Sequence, residues 1–142
     1  MLRVKLEKEL YPVLRTHLRK AGYSVYLQVR PRPRSPRTFD VVGIHPRRKS
    51  VVIIEAKLDH FRRAFDQALL RLHVADRVYL SFPCEYALKA FQREEPRIRS
   101  AGLGLLAVQS RQVVELISPR KSTLVDQQRR RELIQMTVAM GE

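Results

Sequence analysis

The sequence predicts an α/β protein in which one mixed β-sheet is flanked by helices. Two segments, residues 2–21 and 59–74, carry apolar side chains at the three- and four-residue spacing of amphipathic helices. Three short apolar runs have the length and composition of strands: residues 39–44, 51–56 and 77–82. With a further strand between the first helix and the first run, the order is α-β-β-β-α-β.

The first helix is expected over residues 2–21. Pro12 lies inside it and should either kink it or begin a second helical segment, because proline removes one backbone N–H and clashes one turn back. Residues 23–29 then alternate apolar and polar side chains, which is the period of a half-buried strand. The proline- and arginine-rich residues 30–37 are expected to form an extended loop.

The runs at 39–44 and 51–56 flank the basic segment 45–50 and predict a β-hairpin. Neither run alternates with polar residues, so both strands are expected to be central in the sheet. The second helix follows over residues 59–74, with Asp59 as its expected N-cap.

The second half of the chain has weaker patterns. Thr123 followed by Asp126 resembles a capping box, which would begin the last helix near Leu124. The other expected elements are a helix at 85–92 and strands at 103–108 and 113–117.

Length and composition favour one globular domain spanning residues 1–142. Apolar residues make up 44% of the chain and charged residues 30%, which is typical of a protein that buries a core and not of a disordered one. The basic segments are therefore expected to lie on the surface of a folded domain.

The chain is strongly basic. It has 28 Lys and Arg against 14 Asp and Glu, a formal net charge of +14, and a pI of about 10.9. A charge of this size favours nucleic acid as the partner. The alternative is that the charge only keeps the protein soluble.

A single cysteine, Cys84, excludes an intramolecular disulfide and a thiolate zinc cluster, which fits a reducing compartment. The first ten residues are too charged for a signal peptide, and no run of eighteen apolar residues could span a membrane. A cytoplasmic location is expected, with no membrane partner.

Two acidic residues and a lysine interrupt the apolar strands of the hairpin. Glu55 and Lys57 are two residues apart, so strand geometry puts them on one face, about 7 Å apart at Cα. Asp40 opens the preceding strand, and hairpin pairing could bring its carboxylate beside Glu55. Carboxylate oxygens of this kind suit Mg²⁺ or Mn²⁺.

An ion at this patch would polarise a phosphodiester and lower the pKa of a bound water, which Lys57 could orient. The alternative is an ordinary hairpin with one Glu–Lys pair at its solvent end, because an E-x-K tripeptide is common by chance. The joint occurrence of Asp40, the Glu55-Ala-Lys57 run and the basic charge favours phosphodiester chemistry.

With Asp40 and Glu55-Ala-Lys57, residues 5–82 resemble the PD-(D/E)XK nuclease superfamily, which includes type II restriction enzymes and archaeal Holliday-junction resolvases. The resemblance implies a restriction-endonuclease-like fold, metal binding by the aspartate and glutamate, a lysine that assists the attacking water, and a homodimer. One departure is Phe39, which stands where the motif has proline.

The resemblance also implies a metal-binding glutamate on the first helix, and Glu7 is the matching position. Helical geometry puts Glu7 between Leu14 and Leu18 at the edge of the buried face, whereas Glu9 lies on the opposite margin. We prefer Glu7 to Glu9, and the preference depends on a helical phase that Pro12 could change.

Superfamily members also place a glutamine of the second helix near the active site. His60, Gln67 and Arg71 lie by spacing on one flank of the apolar face of that helix. A solvated helix edge and a role in substrate contact are equally good interpretations of this flank.

The sequence thus predicts a Mg²⁺- or Mn²⁺-dependent endonuclease acting on DNA, with the catalytic residues Glu7, Asp40, Glu55 and Lys57. Basic side chains would grip the phosphate backbone without reading its sequence: Arg30, Arg32, Arg34, Arg37, Arg47, Arg48 and Lys49. The alternative is a non-catalytic nucleic-acid-binding module on the same fold; a partner of acidic proteins explains fewer residues.

Overall fold

The computed structural model describes residues 6–30 and 38–141. Within these residues six strands form one sheet: β1 (Ser24–Val29), β2 (Phe39–Ile44), β3 (Val51–Ala56), β4 (Arg77–Pro83), β5 (Gly104–Gln109) and β6 (Gln112–Ile117). The helices are α1 (Tyr11–Lys20), α2 (Phe61–Arg71), α3 (Cys84–Ala101) and α4 (Gln127–Met140), and a 3₁₀ turn, Glu7–Glu9, precedes α1.

The strands lie in the sheet in the order in which they occur along the chain. β1, β2 and β3 are antiparallel neighbours, and β6 is antiparallel to β5. β3, β4 and β5 are parallel, which requires crossover connections, and α2 and α3 supply them. The predicted mixed sheet flanked by helices is confirmed, and so is the α-β-β-β-α-β order.

Helices cover both faces of the sheet. Leu10, Leu14 and Leu18 of the α1 region pack with apolar side chains of β1, β2 and β3. The second core contains side chains of α2, α3 and α4, among them Phe65, Ile98 and Leu133. Because both faces are covered, every residue of β2 and β3 is buried, as their continuous apolar runs predict.

The first helical region is divided in two, as expected if Pro12 begins a second helical segment. Glu7–Glu9 form a 3₁₀ turn, and α1 begins at Tyr11. Pro12 lies in the first turn of α1, where a missing N–H breaks no helical hydrogen bond. Glu7 therefore does not share the helical phase of Leu14 and Leu18.

Both expected helix caps were wrong. Asp59 does not cap α2: His60 is the N-cap, with φ of +57° and no side-chain hydrogen bond, and the Asp59 carboxylate faces the His60 ring at 3.3 Å. Asp126 is not the third residue of a capping box but the N-cap itself. It accepts hydrogen bonds from the N–H groups of Gln128 and Arg129, so α4 begins three residues after Leu124.

The third helix is longer than its pattern indicates. It was expected over residues 85–92 but continues to Ala101 through Pro96. Ile98 is fully buried in the core, and this packing continues the helix beyond the proline. None of the described helices is long and apolar enough to cross a membrane.

Candidate active site

The hairpin brings Asp40 and Glu55 together at one end of the sheet. Val41 pairs with Ile54 in the antiparallel register, so Asp40, the residue before Val41, lies beside Glu55. Lys57 follows β3 directly, and its N–H donates to the carbonyl of Ser81 in β4 at 3.1 Å. The ladder to β4 thus fixes the backbone from which the lysine side chain projects.

The ammonium of Lys57 is surrounded by three carboxylates. Its Nζ atom lies 3.5 Å from Oδ2 of Asp40, 3.9 Å from Oε2 of Glu55 and 3.9 Å from Oε1 of Glu7. We call Glu7, Asp40, Glu55 and Lys57 the carboxylate cluster. The fold brings these four residues together from three separate parts of the chain.

Asp40 is held by two further groups. Oδ2 accepts a hydrogen bond from the N–H of Ala56 at 2.9 Å, and Oδ1 accepts a long one from the hydroxyl of Tyr11 at 3.4 Å. Burial, then the charges of Asp40 and Glu7, raise the pKa of Tyr11 above its ordinary value. Sequence reasoning missed Tyr11, although it stands four residues after Glu7.

Glu55 is the most buried member of the cluster, with 1% of its surface exposed. Oε1 accepts a hydrogen bond from Nε of Arg71 at 2.7 Å, whereas Oε2 is buried and has no hydrogen-bond partner among the described residues. Burial and then the charge of Asp40 raise the pKa of Glu55, opposed by Arg71 and Lys57. A buried polar atom without a partner is costly and marks a functional candidate.

The three flank residues of α2 differ in their surroundings. Arg71 is 6% exposed, and its guanidinium carbon lies 4.4 Å from the ring centroid of Phe39, so it is not part of a solvated edge. His60 and Gln67 line a cavity of about 220 Å³ that Glu7 and Lys57 also line.

Arg63 lines the same cavity, and sequence reasoning missed it. Arg63 is exposed, and among the described residues it forms no ion pair. The available signal was its spacing, one helical turn before Gln67 and three residues after His60.

The predicted basic segments lie at different ends of the sheet. Arg30 follows β1, whose last residue pairs with Phe39, so Arg30 is at the end where Asp40 lies. Residues 45–50, with Arg47, Arg48 and Lys49, join the opposite ends of β2 and β3, at least about 13 Å away along the strands. The predictions for Arg32, Arg34 and Arg37 concern residues 31–37, which lie outside the described residues.

The donor chemistry of the cluster fits a hard cation. Three carboxylates converge, and Oε2 of Glu55 is buried without a hydrogen bond. Across residues 6–30 and 38–141, however, no group of three or more His, Cys, Asp or Glu side chains has the geometry to hold a metal ion. The carboxylates are arranged around the ammonium of Lys57, which stands where a cation would be held.

Comparison with known proteins gives one structural likeness. The chain is similar to the SPO1766 protein of unknown function from Silicibacter pomeroyi, with a TM-score of 0.74 and 19% sequence identity. The alignment covers 98% of this chain and 88% of that chain, and it shows the fold alone. No family model matches the chain, and no curated protein matches it.

Proposed function

We propose that this protein is a metal-dependent nuclease that hydrolyses phosphodiester bonds in DNA. The observation that carries the proposal is the convergence of Glu7, Asp40 and Glu55 on Nζ of Lys57. Carboxylates so close together repel one another and repel phosphate, so a protein that only bound nucleic acid would gain nothing from them. A cation used in catalysis gives them a role.

In this proposal Glu7, Asp40 and Glu55 would hold Mg²⁺ or Mn²⁺, and such an ion would supply Lewis-acid chemistry toward the scissile phosphodiester. Lys57 acts on the reacting groups directly. Its ammonium is a three-proton donor, its side chain is 19% exposed, and it lines the cavity beside the cluster. It orients the attacking water and offsets the negative charge that develops on the phosphate.

The substrate backbone is held by the basic surface. His60, Arg63 and Gln67 surround the cavity next to Lys57 and offer cationic and amide donors to phosphate oxygens. The net charge of +14 adds a long-range attraction that carries no sequence information. The expected activity is weakly selective, with a steep dependence on salt.

The test is a cleavage assay with the full chain on linear duplex, branched and single-stranded DNA and on RNA, in Mg²⁺, Mn²⁺ or EDTA. Glu55→Gln and Lys57→Ala are the informative variants. Glu95→Gln is the matched control, because it removes an equal charge from an exposed pair with Arg99 on α3. Metal-dependent cleavage of DNA should be lost in the two cluster variants and kept in the control.

Cleavage that persists in EDTA, or that survives Glu55→Gln, would rule out the mechanism. Absence of cleavage on every substrate, together with tight and salt-sensitive binding, would favour the second candidate function.

That second candidate is a nucleic-acid-binding module without catalysis. The observation in its favour is that Lys57 already supplies the cation among the three carboxylates. In a module, DNA binding measured by fluorescence anisotropy would be the same in Mg²⁺ and in EDTA. Glu55→Gln would then leave both the affinity and its salt dependence unchanged.

A further inference from the structure

A second cavity lies between α1 and the β5–β6 hairpin, on the face of the sheet that α1 covers. Its volume is about 250 Å³, and two separate elements line it: Val13, Thr16, His17 and Lys20 of α1, and Arg111, Gln112, Val113 and Val114 of the hairpin. None of these residues belongs to the carboxylate cluster or to the cavity beside Lys57.

Two cations line this cavity, Lys20 from α1 and Arg111 from the turn between β5 and β6. Both side chains are exposed, and within residues 6–30 and 38–141 neither forms an ion pair. Two like charges on the wall of one cavity repel each other, and an anion bound there replaces that repulsion with attraction.

The acidic side chain nearest to the cavity is already engaged elsewhere. Oε1 of Glu115 accepts a hydrogen bond from the hydroxyl of Tyr79 at 2.5 Å, and Oε2 accepts one from Ser118 at 2.6 Å. Burial lowers the pKa of His17, against the charge of Glu115 and together with that of Lys20. At neutral pH the His17 ring is therefore uncharged and keeps one N–H donor.

We propose that this cavity binds the phosphate group of a nucleotide unit, with Lys20 and Arg111 as its counter-charges. His17 and Gln112 can donate hydrogen bonds to the phosphate oxygens. The apolar part of the lining suits the carbon atoms of the attached sugar: Val13, Val113 and Val114. The site does not depend on the proposed function, because it contains no residue of the carboxylate cluster.

The cavity lies close enough to the cluster for one nucleic acid to reach both. Because β3, β4 and β5 are parallel, the turn that carries Arg111 lies at the same end of the sheet as Glu55. β6 is three strands away from β3, about 14 Å across the sheet, and the major groove of DNA is about 12 Å wide. The phosphate comes either from a nucleic-acid backbone or from a free nucleotide, and the experiment separates these two sources.

The experiment compares two double variants of the full chain that lose the same charge. Lys20→Gln with Arg111→Gln, the cavity variant, removes both cations of the cavity. Lys89→Gln with Arg93→Gln, the matched control, removes two exposed cations of α3, on the opposite face of the sheet. Binding of a short labelled DNA duplex is measured by fluorescence anisotropy in EDTA, over several salt concentrations.

Binding of deoxyadenosine monophosphate (dAMP) is measured separately, by the NMR signals of the His17 ring. The reference is His73, which lies near Asp76 at the other end of the sheet. In the wild type and in the control, dAMP should shift the His17 signals and leave those of His73 in place. In the cavity variant the shift should be lost.

If the phosphate belongs to a nucleic acid, the cavity variant should bind the duplex roughly ten-fold more weakly. The slope of log K against log salt should also fall by about 0.9. The control should change the affinity by about two-fold at most, because salt screens distant charges. If the phosphate belongs to a free nucleotide, the two double variants should bind the duplex equally, and only the dAMP shift should be lost.

The inference is overturned if the two double variants bind the duplex equally and dAMP either leaves the His17 signals unmoved or shifts them equally in all three proteins. Circular dichroism checks that each variant is folded. Lys20→Arg and Arg111→Lys keep the charges and should bind as the wild type does. If the cavity variant does not fold, the single variants Lys20→Gln and Arg111→Gln decide the question. No measurement involves cleavage, so a protein without nuclease activity would leave the inference standing.

Discussion

Two arginine–carboxylate pairs, each with a buried carboxylate, lie at opposite ends of β3, and they are built differently. Asp76, beside the first residue of β3, accepts hydrogen bonds on Oδ2 from the N–H of Val51 at 2.7 Å and from Nη2 and Nε of Arg130 at 3.0 and 3.2 Å. Glu55, near the last residue of β3, has one hydrogen bond from Arg71, and its second oxygen has no hydrogen-bond partner among the described residues.

The difference separates a structural pair from a candidate functional one. Arg130 also donates to the carbonyl of Lys49, so the Asp76 pair ties α4 to the hairpin turn and to the start of β3. The Glu55 pair ties α2 to β3 but leaves a carboxylate oxygen that is buried and unsatisfied. Proteins keep such costs where function requires them.

The largest expected effect is on catalysis at the Glu55 pair. Glu55→Gln should lower the cleavage rate by about 10²–10³-fold, roughly 3–4 kcal/mol of barrier, because the substitution removes a metal-binding charge. The fall should appear in single-turnover assays with Mg²⁺ at saturation. The free energy of unfolding should also fall, because Arg71, which is more buried than Arg130, loses its counter-charge. A rate within ten-fold of the wild type would contradict the assigned role.

The matching substitution at the other end of β3, Asp76→Asn, should change the stability of the fold. Asp76→Asn is expected to lower the free energy of unfolding by about 3 kcal/mol, because it leaves Arg130 partly buried without a counter-charge. Urea unfolding followed by circular dichroism measures this loss. The cleavage rate per folded molecule should not change, and a loss below about 1 kcal/mol would mean that the pair is not structural.

The same two regions show which parts of the molecule could be predicted from sequence. β2 and β3 were predicted from continuous apolar runs and α2 from its helical apolar spacing, and Asp40, Glu55 and Lys57 are recognisable as charged residues in or next to those runs. For these elements and residues the local sequence pattern was sufficient for the prediction.

Partners from other elements could not be predicted in this way. Helical spacing puts Arg71 on a flank of α2, yet the side chain is buried because a strand supplies its counter-ion. Asp76 and Arg130 are 54 residues apart, and nothing in either local sequence indicates their contact. The hydrogen bond from Tyr11 to Asp40 likewise forms only in the folded chain.

The stabilisation that Mg²⁺ gives to the folded protein should distinguish the Glu55 end of β3 from the Asp76 end. Mg²⁺ at ten times its dissociation constant should stabilise the wild type by about 1.4 kcal/mol, because it binds the folded chain and not the unfolded one. The upward shift in Tm should persist in Asp76→Asn and vanish in Glu55→Gln. A shift that survives in Glu55→Gln would locate the ion elsewhere in the protein.

The smallest expected effect is on DNA affinity, and it compares cations at the two ends. Arg63 lines the cavity beside Lys57, whereas Arg48 lies in the turn near Asp76. If the DNA backbone crosses the Glu55 end, Arg63→Gln should weaken binding by roughly three- to ten-fold and lower the slope of log K against log salt by about 0.9. Arg48→Gln should lower the affinity for DNA and its salt dependence less than Arg63→Gln does.

Fluorescence anisotropy in EDTA, over several salt concentrations, separates these effects on binding from cleavage. Equal losses in both variants would mean that the DNA contacts the turn as closely as it contacts the cavity, and that one duplex spans both ends of the sheet.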